Sequence, residues 1–110
     1  METMTYKKNK HYKNFKTQTK LVRGGLYRSL HGETSEAIYM NSGYVFNSAE
    51  EAKARFAGEL DGYLYSRYGN PTVAMFEERM ALNEGAEICF ATASGMAAVF
   101  ASLMSYLKSG

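Results

Sequence analysis

Hydrophobic positions along this chain come in blocks separated by glycine. Residues 1–22 show no apolar period and read as a disordered or extended tail. The stretch from Arg23 to Phe46, RGGLYRSLHGETSEAIYMNSGYVF, is interrupted by Gly24, Gly25, Gly32 and Gly43, so residues 23–47 read as an irregular arm that lies on another surface. A body then occupies residues 48–110. Ser48 with Glu51 three residues on forms a capping box, Ala49, Ala52, Phe56 and Ala57 give a small apolar face, and Gly58 ends the predicted helix. A second helix starts at Asn70 as cap and Pro71 as first residue. Its predicted stripe is Val73, Phe76 and Met80, with Glu77, Glu78 and Arg79 facing water and Gly85 as the stop. Ile88 to Ala91 suits a short buried strand, and SGMAAVFASLMSYLKSG is apolar nearly all round, as in a buried helix.

These elements do not close a core. One strand leaves its backbone donors and acceptors without partners, and the last helix carries apolar faces that nothing else in the sequence covers. The expectation is an α/β protein of which this chain forms the front portion.

Charge refines the picture. The formal net charge is +2, but residues 1–28 hold eight Lys or Arg against one acid, and the rest hold five bases against ten acids. The basic start reads as a solvated tail and not a nucleic-acid arm, because no nucleic-acid-binding motif follows it. It has neither the apolar stretch of a secretory signal nor the composition of a transit peptide. No apolar run reaches the roughly 20 residues of a membrane span. Cys89 is the single cysteine, which excludes an internal disulfide and accords with a cytoplasmic home. Within AEICFA it reads as a small buried hydrophobe.

Two short stretches carry chemistry. YSRYGNPT holds Tyr65 and Arg67 two residues apart, on one side of the chain if the stretch is extended, where a phenol and a forked guanidinium suit phosphate oxygens. The alternative is a Tyr packed on the core and an Arg paired with a nearby acid. ATASGMAA reads as strand, tight turn and helix: Ser94 at the turn, with Gly95 and Met96 offering the free amides of a helix start to an anion. It is neither a P-loop nor a complete dinucleotide fingerprint, and such a turn alone can be a simple cap.

From about Leu21 onward the sequence resembles the transsulfuration enzymes of cysteine and methionine metabolism, which depend on pyridoxal phosphate (PLP). VRGG, FAGE, YSRYGNPT, FEERMALNEGAE and ATASGMAAV occur in that family's order and spacing. Within it, SEAIYMNSGYVFNSAEEA and the final stretch look most like the sulfhydrylases that act on O-succinylhomoserine. The resemblance implies a fold type I, three-layer α/β/α large domain, incomplete in these residues, and a homo-oligomer built as a dimer of dimers that acts on a small amino-acid substrate. It implies that Tyr65 and Arg67 bind the cofactor phosphate of the neighbouring subunit, while Gly95 and Met96, with Ser94, bind that of their own. The implied reaction is replacement of the γ-acyl group of O-succinylhomoserine by sulfide, toward homocysteine and methionine. The family's Schiff-base lysine, the aspartate facing the pyridine nitrogen and the stacking aromatic belong to its downstream half, so no catalytic residue is assigned here. Lys53 and Lys108 lie in no matching motif. The competing expectation is a non-catalytic remnant that retains only a subunit-interaction role.

Overall fold

The computed structural model describes residues 14–110. Four helices follow one another: α1 (Thr17–Arg23), α2 (Ala49–Phe56), α3 (Pro71–Glu84) and α4 (Gly95–Tyr106). Residues 17–22 were expected in the disordered or extended tail; they form α1 instead, while residues 1–13 lie outside the described part.

The helix starts follow their sequence signals closely. Ser48 Oγ accepts the Glu51 amide at 3.1 Å, but the reciprocal half of the box is displaced by one residue. Glu51 Oε2 takes the Asn47 amide at 2.8 Å and the Asn47 side chain at 2.7 Å, while Oε1 pairs with Arg55. The Asn70 side chain accepts the Thr72 amide at 2.8 Å and Pro71 occupies the first turn of α3. Gly85 ends that helix in the left-handed region, φ 67°.

Among the described residues α1 packs against α3, and the arm that follows α1 lies on the same helix. Gly24 and Gly25 are both buried against the helix. A Cβ on Gly25, whose φ is +68°, would sit 2.5 Å from the Met75 carbonyl oxygen and 3.3 Å from the Arg79 amide, so only glycine lets the two backbones approach. Arg79 Nε donates to the Gly24 carbonyl at 2.9 Å, its Nη2 pairs with Glu36, and the Tyr27 hydroxyl donates to Glu78 at 2.8 Å. Glu77 accepts the Ala91 amide at 2.7 Å from the other side. The polar face of α3, expected to face water, is therefore the face that holds its neighbours. The expected stripe is rotated accordingly: Pro71, Met75 and Ala81 are the buried residues of α3, whereas Val73 and Phe76 are exposed.

Ile88 to Ala91 forms no strand, because no second strand is present among the described residues to complete a ladder. The described residues hold one isolated antiparallel bridge, Gly43 with Tyr65. α4 has no buried residue, with Phe100 at 64% and Leu103 at 55% exposure, so the expected buried helix lies open. The radius of gyration is 16.4 Å, against about 13 Å for a compact domain of roughly this length.

Candidate functional site

YSRYGNPT forms a turn and not the extended stretch that would align alternate side chains. The Tyr65 carbonyl accepts the amides of Tyr68 at 2.8 Å and Gly69 at 3.1 Å. The turn still brings the two expected residues together: the Arg67 guanidinium carbon lies 5.3 Å from the centroid of the Tyr65 ring. The Tyr68 ring meets Tyr65 edge-on at 6.3 Å. Arg67 is exposed and has no hydrogen bond or ion pair among the described residues, which removes the alternative of an arginine paired with a nearby acid. Its contact with the ring is worth about 0.5–1 kcal/mol at an exposed site. A charge-assisted bond to an anion is worth about 1.5–3 kcal/mol, so the guanidinium gains by turning to a phosphate.

The second stretch provides a helix N-terminus. Ser94 is extended (φ −158°, ψ 159°), and its hydroxyl accepts the Ala97 amide at 3.2 Å. The Thr92 hydroxyl donates to the Ser94 carbonyl at 2.8 Å and steadies the turn. The amides of Gly95 and Met96, the first two residues of α4, have no acceptor among the described residues and stand in the positive end of the helix dipole. A Cβ on Gly95 would meet no atom within 4 Å outside its own helix turn, so nothing among the described residues packs on that side of Gly95.

No hydrogen bond, ion pair or ring contact among the described residues joins Tyr65 and Arg67 to Ser94, Gly95 and Met96. A groove of about 480 Å³ between α3 and residues 86–90, lined by Tyr27, Glu77, Glu78, Leu82 and Ile88 among others, contains neither group. Cys89 on its wall is half-buried and free. Lys53 is exposed on α2, and Lys108 is exposed beyond the end of α4. Sequence reasoning assigned Asn70 a capping role only; its buried amide also contacts the arm and the Tyr65–Arg67 turn. The one available signal was a polar residue able both to donate and to accept, placed directly after the motif's glycine.

Both groups fit a phosphate: one offers paired amides at a helix start, the other a free guanidinium beside a phenol. Residues 18–110 match the Cys/Met metabolism PLP-dependent enzyme family, and the chain belongs to it. This places it at the N-terminal part of a fold type I enzyme. Among the relatives, the O-succinylhomoserine sulfhydrylase of Mycobacterium tuberculosis is 64% identical over 89 residues, which is 81% of this chain and 22% of that protein. The O-succinylhomoserine sulfhydrylase of Pseudomonas aeruginosa is 55% identical over 92 residues, 84% of this chain and 23% of that one. A crystal structure from Campylobacter jejuni, described as an O-acetylhomoserine (thiol)-lyase, superposes with a TM-score of 0.81 at 36% identity, covering 88% of this chain and 24% of its own. It carries N′-pyridoxyl-lysine-5′-monophosphate. The chain thus spans about a quarter of the length of the proteins it matches.

Proposed function

We propose that these residues are the phosphate-binding N-terminal part of a PLP enzyme that converts O-succinylhomoserine and sulfide to homocysteine and succinate. The observation that carries this reading is 64% identity over 89 residues and 55% identity over 92 residues to two O-succinylhomoserine sulfhydrylases. In the reaction a carbon–sulfur bond forms at Cγ as the Cγ–oxygen bond breaks and succinate leaves. The bound cofactor supplies the electron sink that labilises the γ substituent. The residues here have the narrower task of holding the cofactor's phosphate, so that its ring is fixed in place. Gly95 and Met96 donate their amides to the phosphate of their own subunit, with Ser94 fixing the turn. Tyr65 and Arg67 donate to the phosphate of a neighbouring subunit in a homo-oligomer. That division accounts for two anion-binding groups that remain apart within one chain.

The test is a chimera in which residues 18–110 replace the matching segment of the M. tuberculosis sulfhydrylase. The chimera is expected to release homocysteine from O-succinylhomoserine and sulfide. A folded, cofactor-loaded chimera that forms none, or that uses only the O-acetyl ester, would overturn the assignment of substrate.

A further inference from the structure

Asn70 is the one buried polar residue among the described residues, 7% exposed. Its amide group is bonded to three different segments, with both N–H donors used. Nδ2 donates to the Tyr39 carbonyl of the arm at 2.9 Å and to the Ser66 hydroxyl at 3.1 Å, while Oδ1 accepts the Thr72 amide at the start of α3. Around it the same segments are tied by three further bonds. Thr72 Oγ1 accepts the Tyr39 amide at 2.9 Å, the Ser66 amide donates to the Ser42 carbonyl at 2.9 Å, and the Ser66 hydroxyl donates to the Asn41 carbonyl. Tyr44 Oη stands 3.4 Å from the same hydroxyl.

Next to this knot, the residues expected to grip the anion are exposed, Tyr65 at 39% and Arg67, as is their neighbour Tyr68 at 80%. Their own contacts are with one another, through the ring faces and edges. The direction in which Arg67 projects is therefore set from below, by the backbone of Tyr65 and Ser66 and by what holds that backbone. A guanidinium binds phosphate oxygens well only within a narrow range of position and angle.

We propose that Asn70 is a positioning residue for the Tyr65–Arg67 anion grip, acting through Ser66, and that the arm segment 39–44 is thereby a structural part of the site. The inference rests on the reading of Arg67 as a phosphate ligand. Capping of α3 is separable from this role, because serine caps a helix about as well as asparagine yet is too short to span from α3 to Tyr39 and Ser66.

The experiment measures the affinity of the apo-chimera for PLP by fluorescence titration, with and without Arg67. Asn70→Ser is expected to weaken binding about fivefold when Arg67 is present, the scale of one misdirected hydrogen bond. In an Arg67→Ala background the same change should alter affinity less than about twofold, because the group being positioned is gone. A purely structural Asn70 would lower affinity by the same factor in both backgrounds, and that result would overturn the proposal. So would unchanged affinity in Asn70→Ser with Arg67 intact. If Asn70→Ser does not fold, Ser66→Ala removes the Asn70–Ser66 link together with the hydroxyl's bond to Asn41, leaves the bonds of Asn70 to Tyr39 and Thr72, and is read through the same cycle. Wild-type affinity in Arg67→Ala itself would reject the phosphate reading, and this inference with it.

Discussion

Arg67 and Tyr65 differ in what each can give an anion, and the difference is measurable. Arg67 offers two parallel charged donors, Tyr65 a single neutral hydroxyl. In the chimera, Arg67→Ala is therefore expected to lower PLP retention after dialysis by about tenfold or more, and Tyr65→Phe by only a few-fold. Equal retention by Arg67→Ala and the parent would show that the guanidinium binds no phosphate. Acidic residues of the arm give a second prediction. Glu36 is held below the ordinary carboxylate value of 4.5, chiefly by its own backbone amide and next by the Arg79 side chain. Glu33, bound by the amide and hydroxyl of Ser29, is lowered further, to about 2. A carboxylate with a lowered folded value contributes stability that is complete above the unfolded value and is lost as pH falls through the folded one. The arm is thus expected to loosen only below pH 4.5, with the Glu36 carboxyl titrating below that value by carbon NMR. Replacing Arg79 by Ala should raise the Glu36 midpoint without restoring it completely, since the backbone contribution stays. An unchanged midpoint would mean the ion pair has no influence on the carboxylate.

Helix α3 shows how far pattern reading reaches and where it stops. Its start and end were legible, because Asn70, Pro71 and Gly85 act through local geometry that the neighbouring residues determine. Its buried face was not. Val73, Phe76 and Met80 satisfy the helical period, but the arm approaches from another direction and covers Met75 with the backbone of Gly25. Apolar spacing identifies a stripe; it cannot register a neighbour that packs by glycine backbone and binds by Arg79 and Glu78. Ile88 to Ala91 failed as a strand for a related reason, since a strand exists only with a partner. At the site, the residue types of both motifs were legible, whereas the Tyr65–Arg67 geometry depends on a turn and on contacts from residues 39–44, far away in sequence. If Arg79 holds the arm as described, Arg79→Ala in the chimera should cost about 1–2 kcal/mol, the worth of two half-buried polar contacts. Protease cleavage between Gly24 and Glu36 should quicken in parallel. A stability loss without faster cleavage would place the role of Arg79 elsewhere.

The whole chain exposes 9420 Å², where a compact protein of its 12.3 kDa would expose about 6,100 Å². Large apolar side chains stand exposed on α4 and at Ile88 and Phe90, so these 110 residues in isolation are expected to associate and to melt without a cooperative transition. A sharp two-state melt of a monomeric sample would refute that. The proposed sharing of the phosphate between Tyr65 and Arg67 of one subunit and Gly95 and Met96 of another belongs to the same scale. Two-fold symmetry then requires each subunit to give and receive the same loop. Consider a chimera with Arg67→Ala mixed with a second whose cofactor-bearing lysine has been replaced. Neither parent alone has a complete site if Arg67 acts across the interface. In the mixed dimer, the lysine of the first subunit meets the intact Arg67 of the second, and one site of the two is restored. Activity should therefore rise above the weighted mean of the parents as subunits exchange, with exchange followed independently by a mass tag. If Arg67 served its own subunit, every site in the mixture would retain one defect, and activity at the weighted mean despite complete exchange would establish that arrangement.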